Sequence, residues 1–258
     1  MKQIILITDG CSNVGISPVI AAANAKAEGI TVNVIGLLDS GLLGEHGSEE
    51  INEIASAGGG MSRIVTTAQL SQTVQMMTRK TVAQTIQKVI SKELQHILGD
   101  AKIESLPPDK RSQVVQVMDD LSESTTLKVA LLIDTSASMK PKLQAVKEAI
   151  YDLQLSLQAR TGISETAVFH FPGSPSSQQD VEMDLDWTRD LANLNRLFYK
   201  LNMKGTTPTG PALLKVIQLM TIGIADDKSN REGDDVNPGI VSGRTPAGKE
   251  GILGDYVV

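Results

Sequence analysis

Short apolar runs alternate with amphipathic stretches along the chain, and the alternation predicts strands separated by helices. The first run, Ile4 to Ile7, is compact and uninterrupted, as a strand buried on both faces should be. Ser17-Pro18 then supplies a cap and a first-turn proline for an Ala-rich helix that Gly29 closes, and Ile30 to Ile35 reads as the next buried strand. Ser48 caps a short helix carrying Ile51 and Ile54, Gly58-Gly59-Gly60 ends it, and Arg63 to Val65 suits a brief edge strand. These elements make a βαβαβ unit. From Thr67 to Leu98, Leu70, Val74, Met77, Val82, Ile86, Val89, Ile90, Leu94 and Ile97 recur at helical spacing. A straight helix of that length spans about 45 Å, more than the thickness of one domain, so it should bend or project.

Leu106-Pro107-Pro108 marks a linker, and Val114 to Leu121 suggests one short helix after it. A second uninterrupted run, Val129 to Ile133, reads as a buried strand. Behind it Leu143, Val146, Ile150, Leu153 and Leu157 follow at steps of three and four, the stripe of a helix lying on a sheet. Thr166 to Phe171 reads as a strand, Val181 to Leu185 as an alternating edge strand, Leu191 to Leu201 as a helix, and Pro211 to about Met220 as another. From about Asp226 onward the chain is rich in Gly and Asp with few apolar residues and reads as largely disordered. The expected fold class is α/β: a Rossmann-like, doubly wound, mostly parallel sheet with helices on both faces.

Composition narrows the function classes. The 258 residues, 41% of them hydrophobic, suffice for a packed core. A net charge of -6 argues against binding a phosphate backbone, which needs clustered Lys and Arg, so no nucleic-acid partner is expected. The single cysteine, Cys11, has no partner in its own chain for a disulfide, as suits a reducing compartment. The opening apolar run is too short for a signal-peptide core, and no window approaches the roughly 20 apolar residues of a membrane span, so a cytoplasmic location is expected.

The candidate chemistry lies where the two buried strands end. Each closes on an aspartate, Asp9 after Ile4-Ile5-Leu6-Ile7-Thr8 and Asp134 after Val129 to Ile133. Side by side and parallel, the strands would deliver both carboxylates to one sheet edge, where open α/β sheets bind ligands. Ser136 and Ser138 follow Asp134 at the second and fourth positions, and Thr207 lies in a third loop, Gly205-Thr206-Thr207-Pro208-Thr209-Gly210. Hard oxygen donors with two carboxylates suit Mg²⁺ or Mn²⁺.

The three segments Asp134-Thr135-Ser136-Ala137-Ser138-Met139, Gly205 to Gly210 and Ile7-Thr8-Asp9-Gly10 resemble the loops of the metal-ion-dependent adhesion site of von Willebrand factor A domains. The resemblance implies direct ligation by Ser136, Ser138 and Thr207, with Asp134 and Asp9 reaching the ion directly or through water. It extends loosely to small uncharacterised proteins of that family from spore-forming bacteria. In the family the Asp-x-Ser-x-Ser loop comes first and the Thr-Asp-Gly loop last, whereas here Thr8-Asp9-Gly10 comes first. Residues 1–75 thus resemble the second half of the domain and 127–221 the first, with 76–126 a helical bridge and 222–258 a flexible acidic, Gly-rich tail. A circular permutation is implied; a domain-swapped homodimer would bring the same loops together from two chains.

The function implied is a non-catalytic, metal-dependent binding module, an intracellular scaffold or assembly factor whose ion accepts an Asp or Glu from a protein partner. One alternative is a regulatory subunit of an ATPase-driven complex of the chelatase type. The ATPase would come from another chain, because this one has no Gly-x-x-x-x-Gly-Lys-Ser/Thr loop. A Mg²⁺-dependent phosphoryl hydrolase using Asp134 is the third reading, disfavoured because no base stands at the strand ends. Cys11 and His170 read as structural, and His46 and His96 have no neighbours at zinc-ligand spacing. The stripe Val82 to Ile97 reads as core packing, with partner docking as its alternative.

Overall fold

The computed structural model describes residues 1–38, 45–98, 103, 106–173, 180–190, 197–198 and 206–229. Six strands form one sheet: β1 (Lys2–Thr8), β2 (Ile30–Leu38), β3 (Gly59–Thr66), β4 (Leu127–Asp134), β5 (Ser164–Phe171) and β6 (Glu182–Thr188), in the order β3-β2-β1-β4-β5-β6. All neighbours pair in parallel except β5 and β6, which are antiparallel. The helices are α1 (Pro18–Ala27), α2 (Glu45–Ala57), α3 (Leu70–Leu98), α4 (Pro108–Ser124), α5 (Leu143–Gln158) and α6 (Thr209–Ser229). Met1–Thr221 forms one compact unit and Ile222–Val258 a second, of which residues 222–229 are described as the end of α6.

Why β1 and β4 occupy the middle follows from their composition. A central parallel strand has helices on both faces, so the middle of each strand is a continuous apolar run, and Ile4, Ile5, Leu6 and Ile7 are all fully buried, as are Leu131, Leu132 and Ile133. Their register, Ile4 opposite Ala130 and Ile7 opposite Ile133, sets the strand ends Thr8 and Asp134 side by side. The period-2 alternation then sorts neighbours into two layers. Ile4 and Leu6 pack with Ala21, Ala22 and Ala25 of α1, Ile51 and Ile54 of α2, and Ala212, Leu213 and Val216 of α6. Ile5 and Ile7 pack with Leu70, Val74 and Met77 of α3 and Val146, Ile150 and Leu153 of α5. The edge strand β6 buries Leu185, but Met183, two residues away and so expected on the same face, is exposed, because the pairing of β5 with β6 shifts register between Val168 and Phe169.

Several boundaries differ from expectation. The short helix expected at Val114 to Leu121 is α4, 17 residues long, because Pro107 and Pro108 begin it and only Met118 of its apolar positions packs on the core. The last helix continues past Met220 to Ser229. The long helix enters through a 3-10 turn at Thr67–Gln69, and α3 then runs 29 residues, about 43 Å. Its first half is core, with Val82 and Ile86 buried, but Ile90 is only partly buried and Val89 is 56% exposed, so the stripe leaves the core midway. Most of the helix expected at Leu191 to Leu201, and most of the tail beyond Asp226, lie outside the described residues.

Candidate metal centre

Asp134 ends β4 beneath the surface, with no exposed area. Both carboxylate oxygens are held: Oδ1 accepts the Ser136 backbone N–H at 2.8 Å, and Oδ2 accepts the Thr8 hydroxyl at 2.7 Å. The latter bond comes from the adjacent strand end. Beyond Asp134 the chain turns sharply, because the Thr135 N–H and hydroxyl both donate to the Phe171 carbonyl at the end of β5, at 2.7 and 3.0 Å. A 3-10 turn, Ala137–Lys142, follows, pinned by the fully buried Met139. Ser136 Oγ and Ser138 Oγ therefore lie 3.2 Å apart, and Ser138 Oγ donates to Asp9 Oδ1 at 2.8 Å. Asp9 Oδ2 is 2.5 Å from Lys142 Nζ, and the side chains of this pair are only 2% and 4% exposed.

Thr207 is tied to the loop that follows Asp9. Its N–H donates to Asn13 Oδ1 at 2.8 Å, while its carbonyl accepts the Asn13 N–H at 3.2 Å and the Ser12 hydroxyl at 3.3 Å. Two glycines permit the approach. A Cβ on Gly210 would fall 1.9 Å from the Ile16 carbonyl oxygen, and one on Gly15, where φ is +89°, would fall 2.4 Å from Pro211 Cγ. Gly210 meets the Ile16 backbone and Gly15 the Pro211 ring, so a side chain at either would push the two loops apart. Glu50 of α2 adds a further tie, accepting the Ser12 N–H at 2.9 Å.

Direct bonds thus link Asp134, Ser136, Ser138 and Asp9, while the Thr207 backbone is bonded to Ser12 and Asn13 on the loop that follows Asp9. Thr8, Ser12, Asn13, Gly15, Lys142 and Gly210 also build the site, although sequence reasoning missed them as functional residues. Thr8 and Gly210 carried a signal, Thr8 beside Asp9 in the Thr-Asp-Gly segment and Gly210 at the end of the Thr207 loop. His170 turns instead toward β6, with Nδ1 2.7 Å from Asp184 and Nε2 3.6 Å from Glu182, which fits its structural reading. Cys11 is exposed, and burial together with nearby Glu50 raises its thiol above the usual range, the reverse of an activated cysteine.

The donor set suits a small hard cation. At bonds of about 2.1 Å an octahedral ion has neighbouring ligands about 3 Å apart, close to the 3.2 and 2.8 Å separations of Ser136 Oγ, Ser138 Oγ and Asp9 Oδ1. No group of three or more His, Cys, Asp or Glu able to hold a metal occurs among the described residues, so an ion here depends on hydroxyl oxygens as well as carboxylates. Such a set favours Mg²⁺ or Mn²⁺ over zinc.

Burial raises the Asp134 carboxyl above the usual carboxylate range, the Ser136 N–H and the Thr8 and Ser136 hydroxyls oppose that, and the charge of Asp9 adds to it. The folded chain accordingly prefers this group protonated: its contribution to stability is present in acid and is lost as pH rises through the raised value. Cation binding needs the ionised form. Affinity for Mg²⁺ is therefore expected to climb with pH above the ordinary carboxylate range. Calorimetric titrations at several pH values check this, since a flat profile there would mean that Asp134 ionises as an ordinary exposed carboxylate does.

A family profile for the von Willebrand factor type A domain matches residues 1–80. A protein of Bacillus subtilis (strain 168), YabS, itself described as uncharacterized, is 50% identical over 214 residues, covering 83% of this chain and 86% of YabS. The crystal structure of an uncharacterized protein from Alicyclobacillus acidocaldarius subsp. acidocaldarius DSM 446 is 40% identical, covers 88% of this chain and 96% of that one, and superposes with a TM-score of 0.80. Proximal thread matrix protein 1 of the mussel byssus, solved with zinc in its metal-ion-dependent adhesion site, is 17% identical and reaches a TM-score of 0.25, too low to bear on the site.

Proposed function

Because the chain belongs to the von Willebrand factor type A family, we propose that Asp134, Ser136, Ser138, Thr207 and Asp9 hold Mg²⁺, or Mn²⁺, and that the centre grips a carboxylate of a protein partner. The observation that carries this reading is the bond from Ser138 Oγ to Asp9 Oδ1, which joins donors 129 residues apart into one oxygen cluster at the sheet edge. When bound, the ion supplies a Lewis-acidic position for an Asp or Glu side chain. The residues do the rest. Ser136, Ser138 and Thr207 offer neutral oxygens, so the negative charge of the set is confined to Asp134 and Asp9, which a divalent ion balances, and an incoming carboxylate is not opposed by further charged ligands. Thr8 and the Ser136 N–H fix Asp134 in a single orientation before any partner arrives.

The chain would act as a scaffold or assembly factor in the cytoplasm; no described helix is long and apolar enough to cross a membrane. A regulatory role beside an ATPase is a second reading, favoured by Val89 of α3 and Val115, Val117 and Leu121 of α4, all exposed. We also infer a circular permutation within one chain, with 1–75 and 127–221 as the two halves and α3 and α4 bridging them. Supporting it, Lys2 Nζ donates to the Met220 carbonyl at 2.7 Å, so the end of one half lies beside the start of the other.

The immobilised chain is expected to retain proteins from a lysate in Mg²⁺ and to release them in EDTA, and Asp134→Ala is expected to retain none of them. Retention unaffected by both EDTA and Asp134→Ala would overturn the reading.

A further inference from the structure

Lys142 ends the same 3-10 turn that carries Ser138, and its ammonium sits against Asp9 Oδ2 at 2.5 Å with both side chains almost wholly out of solvent. A surface lysine in a solvated pair contributes little and moves freely. This one is buried: the residue is 3% exposed and lies between the fully buried Met139 and Val146 along the chain. Desolvating a lysine is costly, and a buried pair survives only where each charge needs the other. Asp9 has that need. Its carboxylate shares the site with Asp134, close enough that the charge of Asp9 registers on the Asp134 carboxyl. Two ionised carboxylates around Ser136 and Ser138 repel one another unless a cation lies between or beside them.

We propose that Lys142 is the built-in counter-cation of the metal centre: it balances Asp9, holds that carboxylate against Ser138, and sets the centre's affinity for a divalent ion low enough for reversible binding. The inference rests on the metal reading above. Its logic is a comparison of charge. With Lys142 in place, Asp9, Asp134 and the ammonium sum to one negative charge; without it they sum to two. An incoming divalent cation therefore meets a smaller net attraction, because the ammonium's repulsion opposes the pull of the two carboxylates in surroundings where charges are weakly screened. Lys142 ends the turn that carries Ser138, and its side chain is almost wholly out of solvent, so the ammonium is packed beside the site.

The purely structural alternative, a lysine that only fastens the Asp9 loop, makes a different prediction, and two neutral variants separate them. Lys142→Gln and Lys142→Met are expected to bind Mg²⁺ at least about tenfold more tightly than the unaltered chain by calorimetry. Their melting temperature is expected to fall in EDTA and to recover in saturating Mg²⁺, as the ion takes over the balancing of the carboxylates. Lys142→Arg, which keeps the charge, should stay within a few-fold of the original affinity. Unchanged Mg²⁺ affinity in both neutral variants would overturn the proposal, as would a stability loss equal in EDTA and Mg²⁺, or failure to fold in either. If the unaltered chain and all variants bind neither Mg²⁺ nor Mn²⁺, the metal reading has failed and this inference falls with it.

Discussion

Asp134→Asn is expected to weaken Mg²⁺ binding at least a hundredfold while leaving the fold intact. The substitution is nearly isosteric, and the hydrogen bonds around Asp134 can adapt to it. Asn Oδ1 still accepts the Ser136 N–H, and the amide NH₂ replaces the oxygen that faced Thr8 Oγ1. That hydroxyl also lies 3.2 Å from the Gly10 carbonyl, so it can donate there and accept from the new amide. The lost charge is one the folded chain holds at a cost, since burial raises the Asp134 carboxyl. At neutral pH the metal-free variant should therefore melt no lower than the unaltered chain. The contrast appears on adding Mg²⁺. An ion at a hundred times its dissociation constant stabilises its folded host by about 2.7 kcal/mol, and Asp134→Asn should show none of that rise. Thermal melts in EDTA and in Mg²⁺ measure both halves. A variant that melts early in EDTA would place Asp134 among the structural residues, and one stabilised by Mg²⁺ as much as the original would remove it from the centre.

How far the sequence led is clearest in β1 and β4. Strands buried on both faces have to be uniformly apolar, so Ile4 to Ile7 and Val129 to Ile133 were legible as runs, and the aspartates closing them were legible as strand-end groups at a ligand-binding edge. The run Val181 to Leu185 announced β6 as an edge strand, but nothing local gave its antiparallel direction or the register shift that exposes Met183 while Leu185 is buried. Contacts between distant parts of the chain were the hidden ones. Asn13 and Thr207 exchange two hydrogen bonds across 194 residues, and neither carries a nearby pattern that points to the other. Lys142, two residues after an exposed Lys140, has the composition of a solvated helix start; only the pairing of β1 with β4 reveals that Asp9 lies within its reach. In α3 the helical period persisted through Val89, yet periodicity records which positions share a face and not whether a sheet still lies beneath that face.

Deleting residues 1–9 is expected to leave no cooperatively folded chain. The deletion removes Asp9 and, with it, the strand that joins the two halves of the sheet: β1 is hydrogen-bonded to β2 on one side and to β4 on the other. Ile4, Ile5, Leu6 and Ile7 are fully buried and serve both core layers. Truncating a single such side chain costs about 2–5 kcal/mol, so losing four costs about 8–20 kcal/mol, as much as the roughly 5–15 kcal/mol that holds a domain together, before the lost strand pairing is counted. A rearranged chain should behave in the opposite way. Beginning between Leu98 and Pro108, running to Thr221, crossing a short Gly/Ser linker to Met1 and ending at Leu98, it keeps every strand and restores the order in which the Asp-x-Ser-x-Ser loop precedes Thr8-Asp9-Gly10. Since Lys2 Nζ touches the Met220 carbonyl, about four to six linker residues at 3.3–3.6 Å each suffice to span the gap. Cooperative melting and a Mg²⁺ affinity within a few-fold of the original are expected, read by calorimetry and circular dichroism. A rearranged chain that stays unfolded would refute the permutation, because that reading treats the present order of the halves as a choice of where one closed fold is cut.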